Sequence, residues 1–110
     1  MATISAVYSG ELRTEATHIA SGNTIITDAP KDNQGRGEAF SPSDLVCAAL
    51  GSCMATIMGI VAKRHNLAIE GTRIHITKIM AADPRRIIEI VIDFNFPANN
   101  FNEKERALLE

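Results

Sequence analysis

Cys47 and Cys53 are the two residues in this chain that carry a thiol, and their spacing restricts the chemistry open to them. On a helix, residues six apart have Cα atoms separated by roughly 9 Å and side chains turned apart by about 120°, beyond the roughly 7 Å that a disulfide spans. The two thiols are not expected to bridge each other. Their spacing does not match the Cys-x2-Cys pairs of structural zinc sites either, and no histidine or second cysteine pair lies nearby to complete one, so no metal site is expected. Any chemistry left to them is that of a lone thiolate nucleophile, and on the residues alone Cys53 reads first as a small buried hydrophobe.

Cys53 falls in the middle of an apolar run, beyond the first turn in which a helix dipole acts, so a thiolate there needs a cation from elsewhere. Arg13 is the first candidate and Arg36 the second, with Glu15 or Glu38 available to orient the guanidinium through a forked pair. Each candidate has a plainer alternative. A lone cysteine is most often a small buried hydrophobe, the preferred reading for Cys47, and a single arginine is most often solvated surface charge. His18, His65 and His75 are scattered and receive no catalytic role. Met54, Met58 and Met80 read as packing, although flexible thioethers would also suit an apolar ligand pocket.

The element that must carry Cys53 is a helix over Ser41–His65. Ser41 is its N-cap, Pro42 occupies the first helical position, where its missing N–H costs nothing, and Asp44 closes a capping-box-like arrangement. From Leu45 to Ala62 the side chains are apolar or small, and no charge occurs until Lys63, so the helix lacks a solvent face and has to be wrapped by other elements. Gly51, Ser52, Thr56 and Gly59 interrupt the run, which favours a buried core helix over a membrane span. Lys63, Arg64 and His65 suit the negative end of the dipole, and Asn66 is the stop.

Around this helix the pattern predicts strands. Thr3–Tyr8 turns at Ser9-Gly10 into Glu11–Ile19, and Ser21-Gly22-Asn23 leads to Thr24–Thr27, giving a three-stranded meander. Lys31–Phe40 is a polar loop. Ala68–Met80 and Arg86–Phe96 form a second pair, with Ile88, Ile90, Ile92, Phe94 and Phe96 on one face of the latter. Pro97–Asn100 ends the strand, and a second helix starts with Asn102 as N-cap; its pattern is cut at Glu110. The expectation is an α+β fold, one domain over residues 1–110, with helices on antiparallel sheet. Five short strands cannot cover a wholly apolar helix, so a partner subunit is expected to do so.

The net charge of −2 and the absence of any basic run argue against nucleic acid as a partner. No basic-then-apolar leader opens the chain, so a cytoplasmic location is expected, where thiols stay reduced.

Phe40-Ser41-Pro42-Ser43-Asp44-Leu45, followed by Ala48-Ala49-Leu50-Gly51-Ser52-Cys53, resembles the OsmC/Ohr family of osmotically inducible and organic-hydroperoxide-resistance proteins. Thr27-Asp28-Ala29-Pro30 and Met80-Ala81-Ala82-Asp83-Pro84-Arg85-Arg86 are similar to its small OsmC-like bacterial branch. The resemblance implies an intertwined homodimer in which two sheets wrap two long central helices, with a cofactor-free thiol peroxidase site at the interface. It makes Cys53 the peroxidatic thiol that attacks an organic hydroperoxide, with a resolving cysteine carried on the second long helix, which this chain does not reach. Arg13 lies roughly where the family's activating arginine is found, and Ser43 stands where the organic-hydroperoxide branch has a glutamate. The alternative is a non-catalytic dimeric module that binds a small apolar ligand at the same interface.

Overall fold

The structure, a computed structural model, describes residues 1–97 and 102–109. The fold is α+β, with a three-stranded antiparallel sheet ordered β1-β2-β3, a two-stranded antiparallel sheet β4-β5 and two α-helices. The chain divides into two compact units, Met1–Val46 and Cys47–Glu110.

The first unit holds β1 (Ile4–Gly10), β2 (Arg13–His18), β3 (Thr24–Asp28), a single 3-10 turn at Lys31–Asn33, and the first residues of α1 (Pro42–Arg64). The first hairpin does not turn at Ser9-Gly10 as the sequence suggests. Ser9 and Gly10 stay in β1, where a bulge between Tyr8 and Gly10 absorbs one extra residue. The reversal falls on Glu11 and Leu12, both left-handed at φ 57° and 60°. Two consecutive left-handed residues match the twist of the flanking strands, and Leu12 N–H donates to the Tyr8 hydroxyl at 3.3 Å. Further along, β2 and β3 pair from Arg13 opposite Asp28 to Thr17 opposite Thr24. Their connection closes where His18 N–H donates to the Asn23 carbonyl at 2.8 Å, with Gly22 supplying a φ of 75°.

The start of α1 agrees with its sequence signal. Ser41 Oγ accepts from Asp44 N–H at 3.1 Å, and Asp44 Oδ2 accepts from Ser41 N–H at 3.1 Å, a reciprocal capping box.

The second unit holds the rest of α1, β4 (Arg73–Ala81), β5 (Arg86–Asn95) and α2 (Glu103–Leu109). At its C-terminal end α1 closes in a Schellman motif: Asn66 is left-handed at φ 55°, its N–H donates to Lys63 at 3.4 Å, and Leu67 N–H donates to Ala62 at 2.8 Å. Strand β4 starts at Arg73 rather than Ala68, because Thr72 N–H and Oγ1 both fold back onto the Ile69 carbonyl and Gly71 takes φ 88°. On β5, Ile90, Ile92 and Phe94 share the half-buried face, but Ile88 is exposed. A bulge between Ile79 and Met80 leaves Ile88 as the unpaired extra residue, which breaks the alternation. Helix α2 is capped reciprocally by Asn102 and Glu105 at 2.8 and 3.0 Å. Past Pro97, the expected turn at Pro97–Asn100 lies outside the described residues, as do Phe101 and Glu110.

Helix α1 packs on β4 at Gly51, where an added Cβ would stand 2.5 Å from Ile76 Cδ1. Otherwise the expected buried helix is not buried within one chain. Only Cys47, Gly51 and Ala62 of α1 are buried, while Val46, Leu50, Met54, Ile57 and Ile60 are exposed. The helix is also long and apolar enough to cross a membrane by length and composition alone, despite Gly51, Ser52, Thr56 and Gly59.

Candidate functional site

Arg13 leads β2 directly out of the left-handed turn, and the β2–β3 register puts Asp28 straight across from it. The two side chains form a forked pair: Nε donates to Oδ1 at 2.7 Å and Nη2 to Oδ2 at 2.8 Å. Nη2 also donates to Glu38 Oε1 at 3.0 Å. Asp28 is fully enclosed, with 0% of its side chain exposed, against 23% for Arg13 and 64% for Glu38. Its Oδ2 takes a further bond from Glu38 N–H at 3.2 Å. The segment 29–40 folds back over the end of the hairpin, since Phe40 carbonyl accepts from Asp28 N–H at 3.1 Å and Leu12 carbonyl from Ala29 N–H at 3.0 Å.

The electrostatics follow from the contacts. The hydrogen bonds and charge of Arg13 hold the Asp28 carboxyl below its ordinary value of 3.8, aided by the Glu38 N–H and the charge of Arg36, while desolvation opposes them. Hydrogen bonding to Asp28 first, and to Glu38 further down, raises Arg13 in turn.

Of the residues singled out from sequence, the structure brings Arg13 and Glu38 together. Glu15 faces Ile26 across the ladder and is exposed, so it does not orient Arg13. Asp28 is the partner that residue-type reasoning missed, because counting outward from a Ser21-Gly22-Asn23 turn sets residue 13 opposite 31, whereas the ladder closes between His18 and Asn23 and sets it opposite Asp28. Cys53 is exposed on α1 and Cys47 is buried at 2%, both free. Arg13 belongs to the first unit and Cys53 to the second. His18 Nδ1 meets Ser21 Oγ at 2.6 Å in an exposed turn, His75 Nδ1 stands 3.5 Å from Asn95 Nδ2, and His65 is exposed after α1. Among the described residues no group of three or more His, Cys, Asp or Glu is placed to hold a metal.

Within the second unit, Met54, Ile57, Met58 and Val61 of α1, Ile92 and Phe94 of β5, and Leu108 and Leu109 of α2 line an apolar cleft of about 420 Å³. Met58 and Met54 thus face a space able to take a small apolar group, while Met80 is not part of it.

The α+β chain thus carries, in its second unit, one enclosed and one exposed thiol on a long apolar helix and, in its first, an arginine locked to a buried carboxylate. The family model for OsmC-like protein matches residues 35–110, and the chain belongs to that family. A solved structure from Psychrobacter arcticus, of a protein assigned to osmotic stress induction and the detoxification response, is 50% identical over 99% of this chain and 79% of its own, with a TM-score of 0.95. The same fold occurs in an organic hydroperoxide resistance protein from Vibrio cholerae with captopril bound in one of its active sites, at 16% identity over 99% of this chain and 76% of that one, TM-score 0.70. It also occurs in organic hydroperoxide resistance protein OsmC from Legionella pneumophila, at 18% identity over 99% and 80%, TM-score 0.66. Among curated proteins no match is found.

Proposed function

We propose that this chain is a thiol-dependent peroxidase that reduces organic hydroperoxides, with Cys53 as the peroxidatic nucleophile. The observation that carries the reading is the contrast between the thiols: α1 encloses Cys47 and exposes Cys53, in a chain of the OsmC-like family. The Cys53 thiolate attacks the terminal oxygen of RO–OH; an S–O bond forms as the O–O bond breaks, sulfur is oxidised to sulfenic acid, and the departing alkoxide takes up a proton to leave as ROH. Two equivalents of a small thiol then restore Cys53: the first forms a mixed disulfide and releases water, and the second attacks that disulfide, freeing the Cys53 thiol and leaving as the disulfide of the two small thiols. Arg13 serves the step by donating hydrogen bonds to the charge that develops on the leaving oxygen. No cofactor takes part. The apolar flank of α1 is covered by a second copy of the chain rather than by lipid, and the protein works as a homodimer in the cytoplasm.

The test is intact mass after one equivalent of cumene hydroperoxide. The unsubstituted chain should gain one oxygen or its further oxidation products, Cys47→Ser should behave alike, and Cys53→Ser should gain none. Equal loss in both variants would mean the wrong cysteine. A second reading, a non-catalytic module for a small apolar ligand, is favoured by the cleft beside Met54 and Met58. It prevails if Cys53 is alkylated slowly at neutral pH and stays unoxidised by stoichiometric hydroperoxide.

A further inference from the structure

Eight described residues line the apolar cleft of the second unit, and the sulfurs of Met54 and Met58 are the only heteroatoms among their side chains. The two thioethers stand four residues apart on α1 and so share one face of the helix, a turn apart. Ile92 and Phe94 of β5 and Leu108 and Leu109 of α2 close the cleft with hydrocarbon. No lining side chain offers water a strong hydrogen bond, and at about 420 Å³ the space falls in the range of small-molecule sites, roughly 300–1,000 Å³. A molecule that enters is selected for an apolar body, and the side-chain group it can react with there is a thioether. Met54 is 39% exposed, so the cleft is open to solvent on that side. Cys53 directly precedes Met54, but consecutive side chains on a helix point about 100° apart, and Cys53 is not part of the lining.

We infer that Met54 and Met58 form a second oxidation site, at which a hydroperoxide with an apolar body is reduced by a thioether rather than by a thiol. A sulfur lone pair attacks the terminal oxygen of RO–OH; an S–O bond forms as the O–O bond breaks, the departing alkoxide takes up the hydroxyl proton to leave as ROH, and the sulfide is oxidised to a sulfoxide. Thioethers attack peroxides far more slowly than a thiolate does, so one equivalent of hydroperoxide leaves them intact and the reaction belongs to a large excess. The product replaces a flexible apolar side chain by a polar one. A sulfoxide in this cleft weakens its hold on apolar bodies, so the site closes itself as it is used. Neither Cys53 nor Arg13 takes part, and the site stands apart from the peroxidase reading above.

Residue-resolved mass mapping of the unsubstituted protein tests this. The protein is mixed with N-acetylmethionine amide as an open thioether and given a large excess of cumene hydroperoxide or, in parallel, of hydrogen peroxide, which has no apolar body. Relative to the free thioether, Met54 and Met58 should oxidise about tenfold faster with cumene hydroperoxide than with hydrogen peroxide. Met80, which lies outside the cleft, should show no such preference. Cumyl alcohol, the unreactive product, should suppress the preference by occupying the cleft. The proposal is overturned by a ratio that is the same for both oxidants, by one that Met80 shares, or by one that survives saturating cumyl alcohol. Met54 and Met58 left intact while the free thioether is consumed overturn it as well. If Cys53 stays unoxidised in the same digests, the peroxidase reading fails by itself, and the methionine ratio still decides this site.

Discussion

Gly51→Ala sets two known effects against each other at one atom. Alanine in place of glycine inside a helix favours folding by about 1 kcal/mol. At this position the new Cβ would stand 2.5 Å from Ile76 Cδ1 and 3.3 Å from Ile76 Cγ1. Forcing a methyl group into a packed contact costs roughly 1–3 kcal/mol, and the new Cβ would also stand 3.6 Å from Ile74 Cγ2. The expected net is a loss of about 1 kcal/mol, a fall in Tm of roughly 4–8 °C for a domain near this size. Ile76→Val removes the clashing Cδ1. Alone it should destabilise by roughly 0.5–1.5 kcal/mol, but combined with Gly51→Ala it should restore most of the loss, giving a favourable coupling of about 1 kcal/mol or more. Urea denaturation followed by circular dichroism, at one protein concentration for all four chains, measures the cycle. A Gly51→Ala chain stabilised by the full helix-propensity gain, with no coupling to Ile76, would refute the claim that α1 meets β4 through Gly51.

Ser41→Ala removes the oxygen that caps Asp44 N–H and should cost about 1 kcal/mol in the same assay; an unchanged stability would contradict the capping box. Asp28 has a folded-state pKa lowered below its ordinary value of 3.8, so its stabilising contribution is fully present above that value and is lost as pH falls through the lower folded value. The acid limb of the stability profile should therefore flatten in Asp28→Asn, with Arg13, Arg36 and Glu38 as the charges that face it; an identical acid limb would contradict the pair. For the homodimer, sedimentation should show no folded monomer at micromolar concentration, because burying the apolar flank of α1 contributes about 25 cal/mol per Å². A stable monomer would refute the covering subunit.

The clearest signals in the chain were those with a local cause. The Ser41–Asp44 box, Pro42, Asn66 and the Asn102 cap each act within one helical turn, and the structure places all four elements of that reading where expected. What was not legible depended on register. The Glu11–Leu12 turn lacks the Asn-Gly pair that usually marks two left-handed residues, and the only turn signal in the sequence there is Ser9-Gly10, two residues too early. Ile88 matches the apolar alternation of β5 in every respect except that it is itself the extra residue of a bulge in that strand. Asp28 depended on register too: a turn centred on Ser21-Gly22-Asn23 sets residue 13 opposite 31, and only the closure between His18 and Asn23 brings Asp28 across from Arg13. The apolar length of α1 was legible, while its exposure in one chain depends on how many strands that chain can lay against it.

The left-handed turn ahead of Arg13 has a consequence for protein engineering. Leucine at φ 60° holds a conformation that costs an L-residue roughly 1–2 kcal/mol, and the chain keeps it at the position whose carbonyl receives the Ala29 N–H at 3.0 Å. A library that swaps Glu11-Leu12 for Asn-Gly would relax that backbone and raise thermal tolerance, at the cost of more conformational freedom in the unfolded hairpin. Variants selected for heat resistance alone would be drawn to this turn, and comparing their peroxide consumption with that of the parent would tell whether a taut tip next to the arginine is a defect that selection has not removed or a setting that the activity requires.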